Sequence, residues 1–157
     1  GTGSTNDLTV PTRIEHAGLA GVRVVRVAAG DTHSMAVTDT GRLLTWGRGD
    51  RTGLGADQEE DVLVPTFVPG VQDVVGLAAG SCHSLISTRG GKVMAFGSCG
   101  REGYEWGDVH GDGSEMVPPD GRLGLGAAVG KARVPTTIPG LRVAGAAGEE
   151  EKKEADA

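Results

Sequence analysis

Two histidines set 50 residues apart, His33 and His83, carry the first hint of chemistry in this 157-residue sequence. Each stands three residues after a glycine and immediately before a serine. Recurring imidazoles suggest catalysis or metal binding, and a thiol-bearing ligand set can be assembled from Cys82, His83, Cys99 and His110. The strand order argues against zinc, because the segments carrying the two thiols are separated by another strand, which sets them about 9–10 Å apart. The unit holding His33 also has Thr32 and Gly49 where the other has cysteines. An imidazole beside a glycine turn is expected instead to bond backbone groups that a tight sheet leaves unpaired. No Ser-His-Asp order, no phosphate loop ending in Gly-Lys-Ser/Thr and no His-Glu-x-x-His occurs. The sequence therefore assigns no catalytic residue, no metal site and no cofactor, and the chain is expected not to be an enzyme.

A second cluster lies in residues 101–120, which hold Tyr104 and Trp106 among six acids and one arginine. Aromatic anchors amid charge suit a protein interface. Tyr104, Glu105, Trp106, Asp108, Asp112 and Glu115 are the expected partner-binding residues. The run from Asp108 to Glu115 faintly resembles the start of a calcium loop, but the twelfth position is Pro119, not glutamate.

What must position these residues is an internal repeat. Sliding the sequence by 50 places AAGDTHSMAVTDTGRLLTWG (28–47) on AAGSCHSLISTRGGKVMAFG (78–97), with eight identities. The recurring positions are Gly30/Gly80, His33/His83, Gly41/Gly91, Trp46/Phe96 and Gly47/Gly97. Val-Pro-Thr recurs at 10–12, 64–66 and 134–136, and Gly-Leu-Gly at 53–55 and 124–126, so the second unit is longer by the insertion 101–120. Each unit reads as four short strands, in the first at 22–28, 33–38, 42–46 and 64–68. Gly-bearing hairpin turns separate the second from the third strand, and Pro65 and Pro135 mark the last strand as an edge.

Composition agrees with this organisation. Glycine supplies 28 residues, more than twice the roughly 7% of average proteins, and valine outnumbers leucine 18 to 11. Tight turns and close backbone approach explain the excess. The net charge of −6 is concentrated in two appendages: −5 in 101–120 and −3 in the tail 149–157, leaving the framework at +2. Direct nucleic-acid binding, which needs a surplus of Lys and Arg, is not expected. No apolar run reaches the roughly 18 residues of a membrane span, residues 1–10 carry no secretory pattern, and two cysteines fit a reducing compartment, so the location expected is intracellular, cytoplasmic or nuclear.

The succession A-A-G-x-x-H-S, T-x-x-G, W-G or F-G, G-x-L-G-x-G (121–126), V-P-T and P-G resembles the regulator of chromosome condensation repeat over about residues 8–148. That resemblance implies an all-β fold of propeller blades, each of four antiparallel strands, seven blades usually closing a ring. Here 1–148 supplies an outer strand (9–14), one blade (22–68), a second (74–138) and an inner strand (142–146), too few to close, and 149–157 reads as a disordered acidic tail. The chain is therefore expected to be a piece of a longer propeller, the remaining blades coming from the same parent chain or another one. The resemblance further implies a non-catalytic protein-interaction module that binds a protein partner, a small GTPase among the candidates. Nucleotide exchange on a Ran-type GTPase is the competing reading and a structural scaffold piece a third. A light-sensing member of the family depends on clustered tryptophans, whereas this chain has only Trp46 and Trp106, at positions that do not correspond.

Overall fold

The structure is a computed structural model and describes residues 1–55, 60–98, 123–126, 129 and 131–144. The insertion 101–120, Cys99, His110 and the tail 149–157 lie outside the described residues.

Eight strands form two four-stranded antiparallel sheets: β1 (Val24–Ala29), β2 (His33–Thr38), β3 (Leu43–Gly47) and β4 (Val62–Phe67) in the first, and β5 (Val74–Ala79), β6 (His83–Thr88), β7 (Lys92–Ser98) and β8 (Lys131–Arg142) in the second. Strand order follows chain order in both sheets. The fold is all-β, an open pair of propeller blades. The two sheets repeat each other in register: His33 faces Gly47 and Ser34 faces Trp46, as His83 faces Gly97 and Ser84 faces Phe96.

Two irregularities recur in both sheets, and the second sheet has a further one between Lys92 and Met94. One irregularity lies between Val24 and Arg26, matched between Val74 and Gly76, and another lies where the last strand passes Val-Pro-Thr. Pro65 and Pro135 have no N–H to give a ladder, so the outer strand steps away from its neighbour there. The threonine that follows closes the step: Thr66 Oγ1 donates to the Val64 carbonyl at 3.0 Å and Thr136 Oγ1 to that of Val134 at 2.9 Å.

Residues 9–14, expected as a strand, carry no ladder. The local chemistry of Val-Pro-Thr persists, with Thr12 Oγ1 donating to the Val10 carbonyl at 3.1 Å. A counterpart of β3 or β7 to pair with is missing from the described residues, and an unpaired segment cannot be a strand. At the other end β8 runs through Arg142 without a break, so the first residue of the expected inner strand belongs to the outer strand of the second sheet.

The sheets stack face to face around one apolar core. Met35, Val37, Leu43 and Val68 come from the first unit, and Val71, Val74, Ile86 and Phe96 from the second. Period-2 alternation decides which residues meet, since successive side chains of a strand leave opposite faces. His33, Met35 and Val37 therefore face forward into the interface, while Ser84 and Ile86 face back into it. Buried apolar surface holds the pair together at roughly 25 cal/mol per Å². Backbone bonds fix the register: Val74 N–H donates to Gly41 O at 2.9 Å and Gly55 N–H to Arg133 O at 3.0 Å.

Candidate functional site

His33 opens β2 at the centre of the interface and is 2% exposed. Its Nε2 lies 2.7 Å from Oγ of Ser84, the second residue of the facing strand β6. Its Nδ1 is buried and has no hydrogen-bond partner. Burial lowers the pKa of His33, the Arg51 guanidinium and the neighbouring His83 ring lower it further, and Asp31 and Asp50 offset part of the shift. The imidazole is thus held in its neutral form, with one nitrogen spent on the neighbouring sheet. It bonds a side-chain hydroxyl across the interface, not the backbone groups that the sequence suggested.

Two glycines make this approach possible. A Cβ on Gly30 would run into the carbonyl oxygen of Gly80 and lie 2.7 Å from the His33 ring, and one on Gly80 would collide with the His83 ring. A larger residue at Gly30 would push the His33 imidazole off Ser84, and one at Gly80 would displace the His83 ring. At the outer end, Gly53 has φ +71° and would place a Cβ 2.6 Å from the Phe96 ring, so the aromatic side chain of the second sheet seats directly on first-sheet backbone. Phe96 itself is fully buried.

A serine hydroxyl against a neutral histidine is half of a hydrolytic triad, but this pair cannot act as one. Ser84 is fully buried, and no carboxylate bonds His33 Nδ1 to orient the ring. No substrate atom can reach the hydroxyl. The pair is a cross-sheet fastener.

A second polar cluster, which the sequence did not single out, lies beside it. Asp50, in a short 3-10 turn (Gly49–Arg51), accepts a hydrogen bond from Arg48 Nε at 3.1 Å and forms ion pairs with Arg51 Nε at 3.3 Å on the same carboxylate oxygen and with Lys131 Nζ at 3.8 Å on the other. Lys131 belongs to β8, so one carboxylate joins the sheets, and Arg51 is 2% exposed. The signal available in the sequence was Asp50 itself, which stands where the second unit has Gly100. A cleft of about 710 Å³ opens here, lined by Thr32, Arg48, Asp50, Asp61, Lys131 and Arg133 among others. Its charges alternate in sign, so it does not concentrate one potential.

The expected partner-binding residues Tyr104, Glu105, Trp106, Asp108, Asp112 and Glu115 lie outside the described residues. Their point of departure is described: Ser98 ends β7 and pairs with Lys131 at the cleft's edge. The zinc set shares this limit, since Cys99 and His110 are not described. Among the described residues no group of three or more His, Cys, Asp or Glu could hold a metal ion, and no helix is long and apolar enough to cross a membrane.

Comparison with known proteins bears on this geometry. The ultraviolet-B receptor UVR8 of Arabidopsis thaliana is 36% identical over 74 residues, which cover 47% of this chain and 16% of the receptor. The human E3 ubiquitin-protein ligase HERC2 is 45% identical over 53 residues, 34% of this chain and 1% of the ligase. The chain thus spans about a sixth or less of these relatives. Among solved structures, Prp20p from Saccharomyces cerevisiae, described with its binding to Gsp1p and histones, superposes with a TM-score of 0.59 at 24% identity over 74% of this chain and 26% of its own. The family model described as the regulator of chromosome condensation (RCC1) repeat matches residues 1–37 and 40–87. With that match covering more than half of the chain, and with two stacked four-stranded sheets behind it, the protein belongs to the RCC1 repeat family.

Proposed function

We propose that this chain is a non-catalytic protein-interaction module, a rigid pair of RCC1 blades that carries a contact loop, residues 101–120. The observation that carries the reading is the use to which the described polar groups are put. His33, Ser84 and Asp50 are spent on joining the sheets, and Arg51 on Asp50. The relatives support it: the same repeats occur in proteins named as a light receptor and as a ubiquitin ligase, so what they share is a scaffold and not a reaction. Loops set on rigid scaffolds are where binding residues concentrate, and this one leaves at Ser98, beside the charged cleft.

The test is replacement of Tyr104 and Trp106 by alanine, singly, in the full chain, followed by affinity capture of partners. Each substitution weakens a captured partner by about 2 kcal/mol, roughly 30-fold, and leaves the urea midpoint unchanged. Equal recovery of the partner reduces the loop to a spacer.

Nucleotide exchange on a Ran-type GTPase is the second reading, favoured by the placement of an acidic, aromatic loop between the third and fourth strands of one blade. Release of labelled GDP from the GTPase, accelerated by micromolar chain and lost in Trp106→Ala, would support it. No acceleration leaves the interaction module or its scaffold variant.

A further inference from the structure

The two ends of the sheets treat their cations differently. At the end that carries the cleft, Arg48, Arg51 and Lys131 all meet Asp50. The other end is formed by the β2–β3 and β6–β7 turns, the starts of β1 and β5 and the close of β8. Arg23, Arg42, Arg89, Lys92 and Arg142 are exposed there. Two carboxylates, Asp39 and Asp73, stand on the same turns and strand ends. Backbone bonds make this end continuous across both sheets: Asp39 N–H donates to Arg23 O at 2.9 Å, Val74 N–H to Gly41 O at 2.9 Å and Arg89 N–H to Asp73 O at 2.7 Å, and Lys92 pairs with Arg142.

Arg23, Arg42, Arg89 and Lys92 form no ion pair among the described residues. Arg42 is nevertheless held in place, because its guanidinium lies 3.5 Å over the centre of the Phe67 ring. A ring face attracts the cation without using its N–H donors, so the planar fork stays open to a carboxylate. Lys92 is the counterpart of Arg42: the two follow the turn glycines Gly91 and Gly41. Stacked sheets lie about 10 Å apart, which sets the spacing of these two cations. In an extended chain of polyproline-II form, residues i and i+3 share one face and lie about 9 Å apart. The two spacings match.

We propose that this end of the two sheets, centred on Arg42 and Lys92, binds an acidic segment of a partner protein that lies extended across both sheets with carboxylates at i and i+3. Arg42, oriented by Phe67, takes one carboxylate on its fork, and Lys92 takes the next as a point charge. The occupant is a protein segment and not a nucleic acid. A polyanion charged at every step meets Asp39 and Asp73 as well as the cations, whereas a segment with a carboxylate at every third residue turns its uncharged faces to them. Lys92 begins β7 and Ser98 ends it, so this surface and the loop 101–120 lie at opposite ends of the second sheet. The surface is therefore independent of the contact loop proposed above.

The experiment is fluorescence anisotropy with the full chain and two labelled peptides of glycine, serine and glutamate, equal in charge, one with glutamate at every third position and one with its glutamates contiguous. Measurements are made at low salt, where exposed charges are least screened. The spaced peptide binds about threefold or more tightly than the contiguous one. Arg42→Gln and Lys92→Gln each weaken it about fivefold, and Arg42→Lys, which keeps the charge and loses the fork, about threefold. Arg26→Gln, the same change of charge in the middle of β1, alters affinity less than about twofold. Urea midpoints of these exposed-site variants stay at the wild-type value. Lys92 has no ring contact, so Lys92→Gln carries the test if Arg42→Gln disturbs folding. No binding of the spaced peptide, equal affinity for the contiguous one, or an equal loss in Arg26→Gln each overturns the proposal. Tighter binding of oligothymidylate or of vesicles containing phosphatidylserine overturns it in favour of a nucleic acid or a membrane.

Discussion

The first interface and the forward face of the second sheet are built from the same residues and end in different states. His33 and His83 occupy the same ladder position, opposite Gly47 and Gly97. One is sealed and bonded to Ser84, and the other is half-buried, its Nδ1 without a hydrogen-bond partner among the described residues. Neither side chain carries the difference. Among the described residues, what separates them is that the second sheet covers the forward face of the first while no described strand covers the forward face of the second. A unit of this repeat is a half-interface on each side, and its stability is a nearest-neighbour property, as in other stacked repeats.

Substitutions that are equivalent in sequence should therefore be unequal in effect. The largest contrast is expected at the apolar positions. Phe96→Ala removes a fully buried ring seated on Gly53 and costs about 3–5 kcal/mol in urea unfolding. Leu141→Ala, on the open face, stays within about 0.5 kcal/mol. Equal losses at the two sites would erase the comparison.

A smaller contrast follows at the fastener. Ser84→Ala leaves His33 Nε2 buried without its partner and costs about 1–3 kcal/mol, while His83→Ala is within about 0.5 kcal/mol.

The smallest effect is the pH dependence. The pKa of His33 is lower in the folded chain than in the unfolded one, chiefly through burial, so between the two values the unfolded state binds more protons. The stability this gives is complete above the ordinary histidine pKa near about 6.5 and is lost as pH falls from there through the folded value. Urea midpoints measured from pH 8 to pH 5 should fall in the wild-type chain. His33→Gln, which keeps a polar side chain but cannot titrate, should flatten that decline, and an equally steep decline in the variant would assign the titration to another group.

Much of the fold was legible in the sequence, for local reasons. Alternating apolar residues bounded by glycine turns specify short strands, and the shift of 50 aligns one sheet on the other. Strand limits moved by a residue or two, as where β4 begins at Val62 and not Val64, because pairing and not composition ends a strand. Residues 9–14 show the same rule from the other side: they carry the Val-Pro-Thr chemistry and lack the partner. Asp50 was not legible as a connector, since its value depends on Lys131, 81 positions later in the chain. The family match shows a related offset. Its second match, 40–87, runs from β3 and β4 of one sheet into β5 and β6 of the next, so the repeat read in sequence is out of phase with the blade seen in space.

By itself the sequence determined the repeat, the strands, the turns and the two-sidedness of each His-Ser dipeptide, because all of these follow from local conformational preference and period-2 alternation. Only the tertiary structure decided that the histidine of one unit bonds the serine of the next. A repeat offers every histidine more than one equivalent serine, and it is the stacking of whole sheets that brings a single one within 2.7 Å.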